Sequence, residues 1–231
     1  MHTKIISRLV LAASLATPAL FLAPISAQAG TMANISVANM YLWRGLDVSA
    51  SDAQVSGTLQ YNADSGFYVG GWASSTWAGA GYELDLYGGY AGSAGDFKYD
   101  ISYWEYLYPE AGFVPDDDVG LGDTDASDLV LSIGYDMFSA AAYINMDSDI
   151  DDDIYYTLGA SMGKFGVTFG FWTRDDGDDV GETTGDEYSH ITLSYNPIET
   201  LTFKASMASS DDGTTEEDPL VQVSYTWGFD L

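Results

Sequence analysis

Gln54-Val55-Ser56-Gly57-Thr58-Leu59-Gln60-Tyr61 is the stretch whose reading decides the fold. Val55, Leu59 and Tyr61 share one face, while Gln54, Ser56, Thr58 and Gln60 share the other. A period of two residues with one oily and one wet side marks a strand that separates two media. The same alternation returns in Tyr82-Glu83-Leu84-Asp85-Leu86-Tyr87 and in Val221 to Phe229. Helical periodicity is hard to find anywhere in the chain.

Reading outward by this rule predicts twelve strands: 34–44, 53–62, 67–76, 82–91, 97–108, 127–137, 139–147, 153–162, 165–174, 187–196, 201–209 and 219–229. Most have the 9 to 11 residues that a tilted strand needs to cross a bilayer. The connections alternate in character. Ala63 to Gly66, Gly92 to Asp96, the residues around Phe138, Gly163-Lys164 and Pro197 to Thr200 are short. The others are longer and acidic: Asp116, Asp117, Asp118, Asp123 and Asp125; Asp149, Asp151 and Asp152; Asp175, Asp176, Asp178 and Asp179; Asp211, Asp212, Glu216, Glu217 and Asp218. Short turns at one end and long loops at the other, with an even strand number, describe an antiparallel up-and-down barrel of the outer-membrane type. A soluble sandwich would also alternate, but it gives no reason for loop length and charge to follow strand parity.

Charge and composition narrow the function. There are 35 acidic residues against 7 basic ones and no cysteine. Such acidity argues against nucleic acid, whose phosphates demand basic patches, and the missing thiols exclude disulfides and cysteine chemistry. Residues 1–29 read as a signal peptide, with Lys4 and Arg8 before the apolar run Leu9 to Leu22 and Ala27-Gln28-Ala29 at the cleavage site. The barrel is then expected from residues 30–231, with Arg44, Lys98, Lys164, Arg174 and Lys204 as its cations. Trp43, Trp72, Trp77, Trp104 and Trp172 fall toward the long-loop ends. Tyr61, Phe67, Tyr90, Phe97, Phe138, Phe165, Tyr195 and Phe203 fall toward the short turns. Both sets are expected in the two aromatic girdles that bilayer interfaces select.

If the oily face meets lipid, the other face lines the lumen. It brings Gln54, Ser56, Thr58, Gln60, Glu83, Asp85, Lys98, Asp100, Asp136, Thr157, Arg174, His190, Thr192, Lys204 and Gln222 inward. The pore candidates are Arg44, Glu83, Asp85, Asp100, Arg174 and His190. The acidic loops would ring the outer mouth and concentrate cations. Asp147, Asp149, Asp151, Asp152 and Asp153 resemble part of a calcium loop, but no glycine or closing glutamate completes it, so no firm metal site follows. Ser189 and His190 are adjacent on a strand, point to opposite faces and cannot form a dyad. No phosphate-cradling loop, zinc pattern or cofactor motif occurs, and no enzyme is expected.

One segment resists simple reading. Asn39-Met40-Tyr41-Leu42-Trp43-Arg44-Gly45-Leu46-Asp47-Val48-Ser49 runs from aromatic strand-like sequence into an arginine and a glycine. With strand one continued to residue 44, Tyr41 and Trp43 face the outer headgroups. Arg44 then turns inward, to pair with Asp47 or with acids of neighbouring strands.

Tyr41-Leu42-Trp43-Arg44-Gly45, Ser65 to Ser74 with its Gly70-Gly71-Trp72, Tyr82 to Tyr90, Tyr106 to Pro109 and Leu131 to Tyr135 together resemble the TorF family of bacterial outer-membrane porins. The resemblance spans essentially the whole of residues 30–231. It implies an outer-membrane barrel and a pore, and no particular substrate. The expected function is passive passage of small hydrophilic solutes with weak cation selectivity, the loops extracellular and the termini periplasmic. Outer-membrane lipid, lipopolysaccharide and small solutes or cations are the expected partners. The alternative is a closed structural, adhesin or receptor barrel whose acidic loops do the work.

Overall fold

A computed structural model describes residues 29–77, 81–109, 126–146, 153–173, 187–210 and 218–231. Its strands are β1 Gly30–Ala38, β2 Leu42–Trp43, β3 Leu46–Asp47, β4 Gln54–Asn62, β5 Phe67–Trp77, β6 Gly81–Ala94, β7 Phe97–Leu107, β8 Ala126–Tyr135, β9 Phe138–Asn145, β10 Ile154–Met162, β11 Phe165–Thr173, β12 Tyr188–Ile198, β13 Leu201–Ser210 and β14 Leu220–Asp230. All but β2 and β3 form one closed antiparallel barrel of twelve strands. β1 closes it, pairing Ile35 with Trp227 of β14 on one side and with Gly57 of β4 on the other. Closure removes the sheet edges that hydrocarbon would leave without hydrogen-bond partners.

The outer face is the decisive feature. Leu59, Val69, Leu86, Ile101, Ile133, Leu158, Ile191, Leu193 and Val221 are all exposed, with Leu59 at 56%. A continuous apolar belt of this extent belongs against lipid, because water would penalise it over the whole circumference. Below the belt Tyr61, Phe67, Tyr135, Phe138, Phe165, Tyr195 and Phe203 form the exposed girdle at the short-turn end. Phe165 stacks on Tyr195 across β11 and β12 with centroids 4.9 Å apart.

Two expectations fail at the other end. Strand one does not continue to residue 44. Asn39 ends the ladder: its side-chain amide donates to the Val221 carbonyl and its side-chain oxygen accepts from the Val223 amide. The chain then leaves the wall, and residues 41–49 fold into the barrel before exposed residues 50–53 lead back to β4. The tryptophans also turn inward. Trp72 and Trp104 are buried inside, Trp43 and Trp172 pack partly buried against the same interior cluster, and Tyr41 joins it at 3% exposure. Parity explains this. Trp72 shares its face with Ser74, and Trp104 with Asp100 and Ser102, all buried. Outward aromatics on the half of the wall nearer the long loops include Tyr82, Tyr103 and Phe169.

Asp136, expected in the lumen, is exposed in the turn between β8 and β9 with φ 52. A short aspartate tolerates this left-handed turn position better than most side chains. Arg174, the acidic loop residues Asp116, Asp117, Asp118, Asp149, Asp151, Asp152, Asp175, Asp176, Asp178 and Asp179, the side chain of Trp77 and residues 1–28 lie outside the described residues.

Because lipid contact depends on depth, Leu59→Arg near the bilayer centre is expected to cost about 2–4 kcal/mol of folding free energy. Tyr61→Arg, close to the interface, is expected to cost at most about 1 kcal/mol. Reversible urea unfolding in phospholipid vesicles measures both.

Candidate functional site in the barrel lumen

Residues 41–49 form an inward hairpin. Trp43 pairs with Leu46 and Leu42 with Asp47, and the Val48 amide donates to the Tyr41 carbonyl at 3.0 Å. The two residues at its tip have positive φ, Arg44 at 46° and Gly45 at 89°. That is the backbone of the tight hairpin turn whose twist matches paired strands, usually built from Asn and Gly. An arginine held there is strained by roughly 1–3 kcal/mol, so its surroundings must favour it by more.

They do so with charge and rings. The Arg44 guanidinium binds the Asp128 carboxylate of β8, which also accepts from the Tyr106 hydroxyl at 3.0 Å. Around the guanidinium stand Trp43, Tyr143, Tyr155 and Trp172, with ring centroids 4.4, 5.2, 4.7 and 4.4 Å away. Three of these rings come from the wall strands β9, β10 and β11. Cation–π attraction is strongest where water is excluded, and Arg44 is only 6% exposed.

The hairpin backbone is held from the opposite wall. Its carbonyls at Met40, Arg44 and Gly45 accept from Gln222, Tyr188 and Ser206. Gly45 lies so close to His190 that a Cβ would strike the imidazole ring. His190 itself is buried, its Nε2 2.6 Å from the Tyr155 hydroxyl and its Nδ1 3.1 Å from Thr192 Oγ1. The expected partner of Arg44, Asp47, has another task. Its carboxylate accepts from the Ser49 amide and hydroxyl and from the Ser51 amide and hydroxyl, at 2.6 to 3.1 Å. This local cradle shapes the return leg of the hairpin, where Ala50 and Ser51 also have positive φ.

The lumen that the hairpin enters is polarised. Glu83 and Asp85 of β6, Asp100 of β7 and Asp128 of β8 lie buried on three adjacent strands. His190 and Lys204 lie buried on β12 and β13. Glu83, 1% exposed, accepts from the Tyr108 hydroxyl on one oxygen. Its second oxygen and Oδ1 of Asp85 find no partner among the described residues. The pore candidates Arg44, Glu83, Asp85, Asp100 and His190 therefore all face inward, and the hairpin brings Arg44 to the acidic side. Among the described residues, the seated hairpin and these buried side chains occupy the lumen at this level.

Asp128, Tyr143 and Tyr155 are the residues that sequence reading leaves out, and Trp172, expected in the outer girdle, joins them inside. Parity was the available signal for Asp128, which shares the inner face of β8 with Ser132. Among the described residues no three acidic, histidine or cysteine groups converge as a metal ion would need.

Comparison with known proteins supplies a family and a fold. A family profile described as bacterial protein of unknown function (Gcw_chp) matches residues 25–173. No curated protein matches the sequence. Among solved structures, one described as "Unveiling the Mechanism Behind the in-meso Crystallization of Membrane Proteins" superposes with a TM-score of 0.51 at 12% identity, covering 88% of this chain and 84% of the other. The KdgM porin gives 0.46 at 7% identity over 87% of this chain and 99% of its own. Outer membrane phospholipase A from Escherichia coli gives 0.40 at 11% identity over 88% and 90%. At these identities the likeness concerns the barrel alone.

Two outcomes follow from the hairpin geometry. Gly45→Ala is expected to unseat the hairpin, because the added Cβ meets both a left-handed backbone and the His190 ring. Trp43 and Trp172 emission should then shift to longer wavelength in detergent. Acid should do the same. Partial burial works to raise the Asp47 carboxyl pKa, but the hydrogen bonds from Ser49 and Ser51 outweigh it and hold the carboxyl below its ordinary value. A depressed folded pKa gives stability that is present above the unfolded value of about 3.9 and lost as pH falls through the folded one. The emission shift is thus expected only below about pH 4, and Asp47→Asn should flatten that titration.

Proposed function

The chain belongs to the Gcw_chp family of bacterial proteins of unknown function, and on that premise we propose that it is an outer-membrane channel for small hydrophilic solutes, kept shut by its first loop. The observation that carries this reading is the content of the barrel. Its interior holds Glu83, Asp85, Asp100, Asp128, His190 and Lys204 around a hairpin that is covalently continuous with the wall only at its two ends, so a polar, charged path remains if the hairpin leaves. Such a hairpin can leave without breaking the barrel ladder.

The buried acids favour cations over anions once the hairpin is withdrawn. The acidic loops at the same end raise cation concentration at the mouth. On this reading the short-turn end, where the described strands β1 and β14 begin and finish, faces the periplasm, with the long loops and lipopolysaccharide outside. The TorF-type porin reading draws on the same residues. Tyr41 to Gly45 of the resemblance are those that build the inward hairpin, and Trp72 packs on Tyr41 with centroids 5.6 Å apart. No catalysis is part of this reading, since His190 is engaged by Tyr155 and Thr192 and faces away from Ser189. The closed-scaffold reading, with function in the outer loops, draws on the same occlusion.

Planar-bilayer recording separates the two. Wild-type protein is expected to be closed for most of the record. A variant in which residues 41–51 are replaced by a short glycine-serine link is expected to conduct steadily, with a reversal potential on the cation side under a salt gradient. A folded, inserted variant that stays silent would rule out the channel, and an anion-side reversal would rule out the selectivity.

A further inference from the structure

The Arg44 site has more recognition chemistry than closing a channel needs. Apart from the hairpin, the wall itself holds Tyr155 against both Tyr143 and Trp172, with centroids 5.6 and 5.9 Å apart. Beside them stands the Asp128 carboxylate, which Tyr106 orients. Three rings and a carboxylate enclosing one planar cation form a site for that cation class, whether or not the cation is tethered. Two further observations point to a ligand. The Tyr143 hydroxyl is buried, with the residue 8% exposed, and finds no partner among the described residues. The Glu83 and Asp85 oxygens are likewise unmatched, nearer the outer end of β6, on the side from which a solute would arrive. Asp85 lies opposite Tyr106 in the sheet, whose hydroxyl reaches Asp128, so the acids lead to the cage.

We propose that Asp128, Tyr143, Tyr155 and Trp172 form a binding site for guanidinium-bearing solutes, and that Arg44 is its tethered occupant. The inference rests on the channel reading and names its substrate class. As the hairpin loosens, an entering guanidinium group reaches the orphan oxygens of Glu83 and Asp85 and takes the place of Arg44 between the rings and on Asp128. Without its guanidinium seated, the Arg44-Gly45 tip loses the contact that offsets its strained backbone. Solute binding and hairpin release are then one event. A tethered group competes at an effective concentration on the order of millimolar. Free solute should therefore displace Arg44 only in that range, and should bind more tightly once Arg44 is absent.

The test compares ethylguanidinium with ethylurea, which has nearly the same shape and no charge, on wild-type protein and Arg44→Ala folded in detergent. Heat-modifiable gel mobility confirms folding. Tryptophan emission of Arg44→Ala is expected to change saturably with ethylguanidinium and not with ethylurea, at concentrations several-fold lower than wild type requires. If Arg44→Ala refolds poorly, recovery of its folded fraction by ethylguanidinium and not by ethylurea supports the site equally. No discrimination between the two probes in either measurement would overturn it. Bilayer recordings keep the two readings apart. Discriminating binding in a protein that never conducts upholds the site and removes the channel. Conduction by a variant whose emission and current ignore both probes upholds the channel and removes the site.

Discussion

Backbone amides and carbonyls in hydrocarbon can bond only to one another, and the rest of the structure follows from that constraint. The twelve wall strands meet it by closing β1 onto β14. Closure then sorts every side chain by parity, with Ile35, Leu59, Ile101 and Leu193 toward lipid and Asn34, Thr58, Asp100 and Thr192 inside. The interior is thereby obliged to hold charges. Burial makes such charges costly, and a piece of the first outer loop compensates one of them, Asp128.

The hairpin solves two problems at once. It carries a cation into the acidic side of the lumen, and it supplies backbone carbonyls to the hydroxyl and amide donors of Tyr188, Ser206 and Gln222 on the other side. Breaking a buried ion pair by removing one partner typically costs about 3–5 kcal/mol, so the Arg44–Asp128 contact is enough to hold a short loop in place. The hairpin shares no ladder with the barrel wall, so its release does not require the wall to open. A gate needs that combination of a firm seat and an independent hinge.

Much of the wall was legible in the sequence. Of the expected strands, those after the first begin and end within three residues of the observed ones, because alternation is enforced by lipid on one side and polar interior on the other. Glu83, Asp85, Asp100 and His190 were placed inward by the same rule. The first loop was not legible, since Tyr41 and Trp43 alternate with Leu42 and Arg44 as a strand would. What marks the hairpin is two successive residues of positive φ, and arginine at the first of them is not the usual signature. The tryptophans obey parity rather than the interfacial preference of their residue type, as Trp104 shows by following Asp100 and Ser102 at even spacing. Asp128 was missed because its partner arrives from 84 residues away, through a loop.

The central claim is that residues 41–49 sit inside the barrel, and a chain without native cysteine allows it to be read directly. Single cysteines at Leu42, fully buried, and Ala50, exposed at the mouth, can each be challenged with a bulky, water-soluble maleimide in the folded, membrane-inserted protein. The account predicts prompt labelling at position 50 and protection at position 42 that is lost on Arg44→Ala. Equal labelling of both positions in the otherwise wild-type chain would contradict it.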